Sequence, residues 1–199
     1  MNYPNGGIFG ARILIVGEST YTTDGRDTSQ YNVWMAQDHI DGYRDAFRTK
    51  LLRSFINTNR EQQHEIQDFW NSVCYLNYIN TPLSGPRIAP AESMWAENNQ
   101  PLASILTELK PNIVVALGYR MWGNWLNNPP CKTYRGPKIN NAGREQTYYF
   151  EASDRIHLAL VYALKHPSSG FSWKSEHPFL MKAIELSKKI QTGLQMAKE

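Results

Sequence analysis

The chain has 199 residues, 41% of them hydrophobic and 20% charged, with 21 basic against 18 acidic side chains for a net charge of +3. A chain of this length and apolar content can bury a core without staples, which excludes disorder as its main state and allows one domain over residues 1–199. The mild positive balance is compatible with a polyanionic partner but does not point to one.

The two cysteines, Cys74 and Cys131, exclude a disulfide framework and a four-cysteine metal site. The longest apolar runs, such as Leu158–Leu164, fall far short of the ~18–20 residues that span a bilayer. The first residues lack a basic stretch followed by an apolar one, so a cytoplasmic protein without a membrane partner is expected.

In chain order, Arg12–Val16 is short, continuous and β-branched, which predicts a buried parallel strand. It runs into a polar loop to Val33. Ile40, Tyr43, Phe47, Leu51 and Phe55 recur at helical spacing. A helix around Glu61–Trp70 and a strand over Val73–Asn77 follow, then a Pro/Gly loop to Arg87. Pro101 opens a helix with Leu102, Ile105, Leu106 and Leu109 inward. Ile113–Leu117 is a third strand and Tyr119–Leu126 another helix. Asn127–Arg144 carries turn residues, with a hairpin to Thr147–Phe150. Ile156–Ala163 is the fourth main strand, and a last helix starts near Pro178 and runs to about Met196. His39 and His64 sit in helices as packing or surface groups.

This β-loop-α alternation predicts an α/β fold, a three-layer α/β/α sandwich around a mostly parallel four-stranded sheet. Ligands of such folds bind beyond the carboxyl ends of the strands. Those ends are Gly17–Tyr21, Asn77–Arg87, Gly118–Arg120 and Lys165–Trp173. No P-loop, GxGxxG, GxSxG or metal-spaced histidine cluster is present. Two strand ends carry an acid and an imidazole, Glu18 and His166. A carboxylate that favours a cation or positions water, facing a histidine that favours an anion, is a general device for splitting polar bonds.

Four segments in order resemble the uracil-DNA glycosylase superfamily: Gly17-Glu18-Ser19-Thr20-Tyr21, Tyr75-Leu76-Asn77-Tyr78 with Pro82 and Arg87, the passage from Leu109 to Gly118, and His166-Pro167-Ser168-Ser169. The resemblance covers positions 12 to 173. It implies a DNA glycosylase that flips a uracil or modified pyrimidine out of DNA and hydrolyses its N-glycosidic bond, in base repair or in defence against phage with modified DNA. Glu18 matches the acidic position of the thermostable bacterial branch; another branch carries its acid one position later, where this chain has Ser19. The usual loop proline is Thr20 here, and Asp24 or Asp27 are alternative acids. Tyr21 and Ser19 match base-contacting positions, Asn77 the base-reading amide and His166 the leaving-group histidine. Ser84, Arg87, Ser168 and Ser169 match phosphate contacts. Phe171 takes the place of the duplex wedge, with Trp173 its rival. The resemblance implies a monomer, and no cofactor, since an iron–sulfur cluster needs more cysteines.

Three other readings stand beside it. Gly17-Glu18-Ser19 with Asp154 and His157 resembles the nucleophile, acid and base of SGNH-type esterases. A nucleoside N-glycosidase needs Glu18 but no wedge. A catalytically inactive DNA-binding module needs neither Glu18 nor His166.

Overall fold

The computed structural model describes residues 2–21, 30–85, 88–139, 146–168 and 170–196. Its strands are β1 (Ile13–Ser19), β2 (Val73–Ile79), β3 (Ile113–Leu117), β4 (Thr133–Lys138), β5 (Gln146–Glu151) and β6 (Leu158–Leu164). The helices are α1 (Tyr31–Ile40), α2 (Ala46–Ile56), α3 (Gln63–Ser72), α4 (Glu92–Glu97), α5 (Asn99–Leu109), α6 (Tyr119–Asn127) and α7 (Trp173–Met196). All six strands join one mixed sheet in the order β2-β1-β3-β6-β5-β4. β2, β1, β3 and β6 are mutually parallel, whereas β5 runs antiparallel to both β6 and β4.

Alternation along the central strands sorts the core onto two faces. Ile13 and Ile15 pack with Leu51, Phe55, Phe69 and Ile184, so α2, α3 and α7 cover one face together with Met35 of α1. Leu14 and Val16 pack with Trp95, Leu106, Met121 and Trp125, so α4, α5 and α6 cover the other. All five residues of β3 are buried, which is why its sequence is uniformly apolar.

Several expectations need correction. Among the described residues the sheet has six strands, not four: the four expected strands are the parallel ones, and β4 and β5 extend it as a hairpin. β4 reads poorly as a strand because it contains Gly136 and Pro137. It is an edge strand, where a missing N–H need not break the ladder. The periodic stretch from Ile40 to Phe55 is two helices. Asp45, in extended conformation, starts the second by accepting the Arg48 backbone N–H at 2.8 Å. α1 begins at Tyr31, inside the stretch expected to be a loop, and α4 was not expected. α7 begins at Trp173, ahead of Pro178, because the Ser172 carbonyl already accepts from the Ser175 and Glu176 N–H groups. No helix among the described residues is long and apolar enough to cross a membrane.

His39 ties α1 to α3. It is fully buried, and the Trp70 indole N–H donates to its Nδ1 at 3.0 Å. Burial, with Arg44 and Arg48 nearby, pushes its pKa down to about 4. The unfolded chain takes up this proton near pH 6.5 and the folded one only near 4, so stability falls as pH drops through that window. His39→Gln should lower stability at pH 7 but flatten its decline between pH 6.5 and 4, as read by urea unfolding across that range. An undiminished decline in the variant would rule His39 out as a source.

Candidate active site

Parallel pairing puts the carboxyl ends of β1, β2, β3 and β6 on one edge of the sheet. The register fixes the rows: Gly17 lies beside Asn77, Val16 beside Ala116, and Leu117 beside Leu164. The turn out of β3 is bound to β6 by the Gly118 N–H, which donates to the Leu164 carbonyl at 2.8 Å. Gly118 has φ +101°, a conformation that favours glycine, and it swings the chain into α6. The loop after β2 is drawn to the end of β1 by the Leu83 N–H, which donates to the Thr20 carbonyl at 2.9 Å.

Glu18 shares the face of Leu14 and Val16 and meets α6. The Arg120 Nε donates to Glu18 Oε2 at 2.7 Å, and a terminal guanidinium nitrogen donates to Oε1. Both carboxylate oxygens are therefore engaged in a forked pair. The Glu18 side chain is 13% exposed and that of Arg120 51%.

His166 follows β6 at the same corner. Its ring lies 5.3 Å from that of Phe47, and the place where a Gly118 side chain would begin is 3.6 Å from it. The Ser168 backbone N–H donates to its Nδ1 at 3.2 Å. Burial lowers its pKa; the Glu18 carboxylate opposes that and the Arg120 charge reinforces it. The neutral imidazole thus prevails at pH 7, and a ring accepting at Nδ1 carries its proton on Nε2.

Asn77 is 6% exposed. The Tyr75 hydroxyl donates to its Oδ1 at 3.1 Å, which orients the amide, while its Nδ2 has no hydrogen-bond partner among the described residues. Burial pushes the Tyr75 phenol well up, so it stays a donor. Gly17 makes room for both: a Cβ there would fall 2.3 Å from Asn77 Oδ1 and 2.4 Å from the Tyr75 hydroxyl.

The expected site residues do not all share one cavity. Ser19 and Tyr21 line a cleft of about 480 Å³, facing Asp38, Asp41, Tyr43 and Arg48. Arg48 is held there by Asp45, by Asp38 at 3.6 Å and by the Met35 carbonyl at 2.8 Å. Asn77 lines a second cavity of about 320 Å³ beside β2, with Asn32, Asn98 and Ile105. Glu18 and His166 lie close enough to interact electrostatically but line neither cavity. Ser84 and Ser168 are exposed at the strand-end edge. Arg87, Ser169, Asp24 and Asp27 lie outside the described residues.

Phe171 requires correction. It is 7% exposed and belongs to the core under α7, so it packs and does not project as a wedge. Trp173 is partly buried against the same cluster. The aromatic rings exposed at the cleft are Tyr21 and Tyr43. Arg120, Tyr43, Asp38 and Asp41 were not expected as site residues. The one available signal was for Arg120, which stands in the strand-end segment Gly118-Tyr119-Arg120.

The esterase arrangement does not form. Ser19 ends β1, six residues past Ile13, whose row holds Ile113 and Leu160; His157 lies three residues before Leu160. Nine residues along a strand separate them by about 30 Å. His157 is buried at the opposite end of the sheet, with Nε2 2.7 Å from the Pro111 carbonyl. Among the described residues no group of His, Cys, Asp and Glu is arranged to hold a metal ion. No family model and no curated protein matches this chain.

Gly17→Ala should cost about 1–3 kcal/mol by overpacking. Urea unfolding measures the loss. Pairing it with Tyr75→Phe, which removes one of the two atoms in the way, should recover part of it; no recovery would mean the clash lies elsewhere.

Proposed function

We propose that this chain is a DNA N-glycosylase of the uracil-DNA glycosylase kind, acting on a uracil or modified pyrimidine swung out of the DNA stack and leaving an abasic site. The observation that carries this reading is the corner where Glu18, at the end of β1, and a neutral His166, protonated at Nε2 and following β6, interact across the end of β3. The α/β architecture and the order of the sequence motifs support it. With it come the finer fold reading, a uracil-DNA glycosylase-like domain, a DNA partner, a monomeric state, a cytoplasmic location, and a role in repair or phage defence.

The chemistry follows from where charge develops. Extruding a nucleotide costs a few kcal/mol. Breaking the bond between C1′ and the base nitrogen leaves positive charge on the sugar and negative charge on the base. The Glu18 carboxylate favours the first and orients water toward C1′. The His166 Nε2–H donates to the base oxygen that gains charge. The Asn77 amide lines the neighbouring cavity beside β2, with Oδ1 fixed by Tyr75 and Nδ2 unpartnered among the described residues; this reading assigns that Nδ2 donor to a pyrimidine carbonyl reaching in from the corner. Water adds to C1′, one of its protons is taken up at the carboxylate, and the base leaves as an anion. Exposed Ser84 and Ser168 are the phosphate contacts in reach of the same edge.

A second reading, a DNA-binding module without turnover, is favoured by one observation: both Glu18 oxygens are already engaged by Arg120. Duplexes carrying uracil, hypoxanthine, hydroxymethylcytosine or glucosylated cytosine separate the two. Wild-type protein should release base from at least one, scored as alkali-labile sites. Glu18→Gln and His166→Ala should each slow release by about 10²–10³-fold. No release from any duplex by wild-type protein would sink the hydrolase and leave the binding module.

A further inference from the structure

We infer that Arg120 is an exchangeable latch on Glu18, holding the carboxylate in the free protein and passing to a backbone phosphodiester when a polynucleotide binds. The inference rests on the glycosylase reading and assigns Arg120 a positioning role within it.

Geometry gives the latch its two states. A carboxylate presents about four lone-pair sites, and the forked pair takes one on each oxygen. Among the described residues Arg120 is the hydrogen-bonding partner that Glu18 has. The two partners differ in access: the acid is 13% exposed and the guanidinium 51%. The acid is set into the strand end, while the arginine reaches it from the second residue of α6 and keeps one side in solvent. An ion pair with a half-exposed partner is a weak one. A guanidinium fork fits a phosphate as well as a carboxylate, so an arriving phosphodiester competes for the same donors.

The chemistry requires the exchange. Positive charge grows on the sugar in the proposed reaction, and a guanidinium locked onto Glu18 cancels the field that favours it. Moved to a phosphate, the same arginine neutralises a charge on the substrate and frees the acid. His166 reports the change because the charges acting on it include Glu18 of β1 and Arg120 of α6, with the neutral ring of Phe47 of α2 packed beside it. Removing Arg120 from the pair leaves Glu18 unopposed and raises the His166 pKa.

Two measurements on the full chain test this, using a short duplex with a tetrahydrofuran abasic site as the probe. In the first, the affinity is followed against salt for wild type, Arg120→Gln and Arg120→Lys. One phosphate contact contributes about 0.9 to the slope of log affinity against log salt. Arg120→Gln should flatten the slope by that amount, and Arg120→Lys, which keeps the charge, should restore it. In the second, the His166 imidazole is titrated by NMR. Its midpoint should rise in wild type when the duplex is added, should already be raised in free Arg120→Gln with little further response, and should drop in Glu18→Gln. An unchanged salt slope in Arg120→Gln, or a wild-type midpoint indifferent to the duplex, would overturn the latch while leaving the glycosylase reading standing. Failure of the wild-type protein to bind the duplex at all would overturn both. A folded Arg120→Lys that matches wild type in slope but lacks the free-state pairing, seen as a raised His166 midpoint, would support the forked contact specifically.

Discussion

The parallel ladder of β2, β1, β3 and β6 is the constraint on which the polar chemistry depends. Parallel strands in register present their carboxyl ends along one edge, and here that edge gathers residues from four separate stretches of chain. The register is held by burial on both faces. A slip of one residue would turn Ile13 and Ile15 toward the face built for Leu14 and Val16. The same row-by-row pairing that seats the core sets Gly17 beside Asn77 and binds the turn at Gly118 to β6. A polar site at this edge thus draws its rigidity from apolar packing beneath it.

Alternation then divides the edge between two faces. Gly17 and Ser19 share the parity of Ile13 and Ile15, so they face α1 and α2, where the larger cleft opens. Glu18 has the opposite parity and meets α6. Read as a string, Gly17-Glu18-Ser19-Thr20-Tyr21 looks like one functional unit. In the fold its acid lies on one side of the strand and its hydroxyl on the other. That is why Ser19 and Tyr21 line the cleft while Glu18 belongs with Arg120 and His166.

What could be read from the sequence followed the strength of each local signal. β1, β3 and β6 were legible because strands buried on both faces are continuous apolar runs. The hairpin of β4 and β5 was weakly marked, since half-exposed strands carrying Arg135, Gly136 and Pro137 satisfy neither a strand pattern nor a helix pattern. The break between α1 and α2 was masked by apolar spacing that continues across it, although Asp45 is a capping residue at the right place. The direction of Phe171 is not legible, because a position in a motif does not state which way a ring points; here it turns into the core. The forked pair was out of reach in principle: Glu18 and Arg120 are 102 residues apart, and only the sheet register brings β1 and the turn after β3 together.

The three charged and titratable groups at the corner make sense as a set. A buried imidazole beside a carboxylate alone would be drawn toward the cationic form, because opposite charge offsets the loss of hydration. Burial is the stronger influence, and the Arg120 charge adds to it against the pull of the carboxylate, so His166 stays neutral. Neutrality has a structural consequence: a ring with one proton can accept the Ser168 N–H at Nδ1 and still donate from Nε2, whereas an imidazolium could not accept at all. The Ser168 turn, the tautomer of His166 and the forked pair on Glu18 are therefore one linked arrangement. A change in the partner of Arg120 is felt at the imidazole without any movement of the sheet.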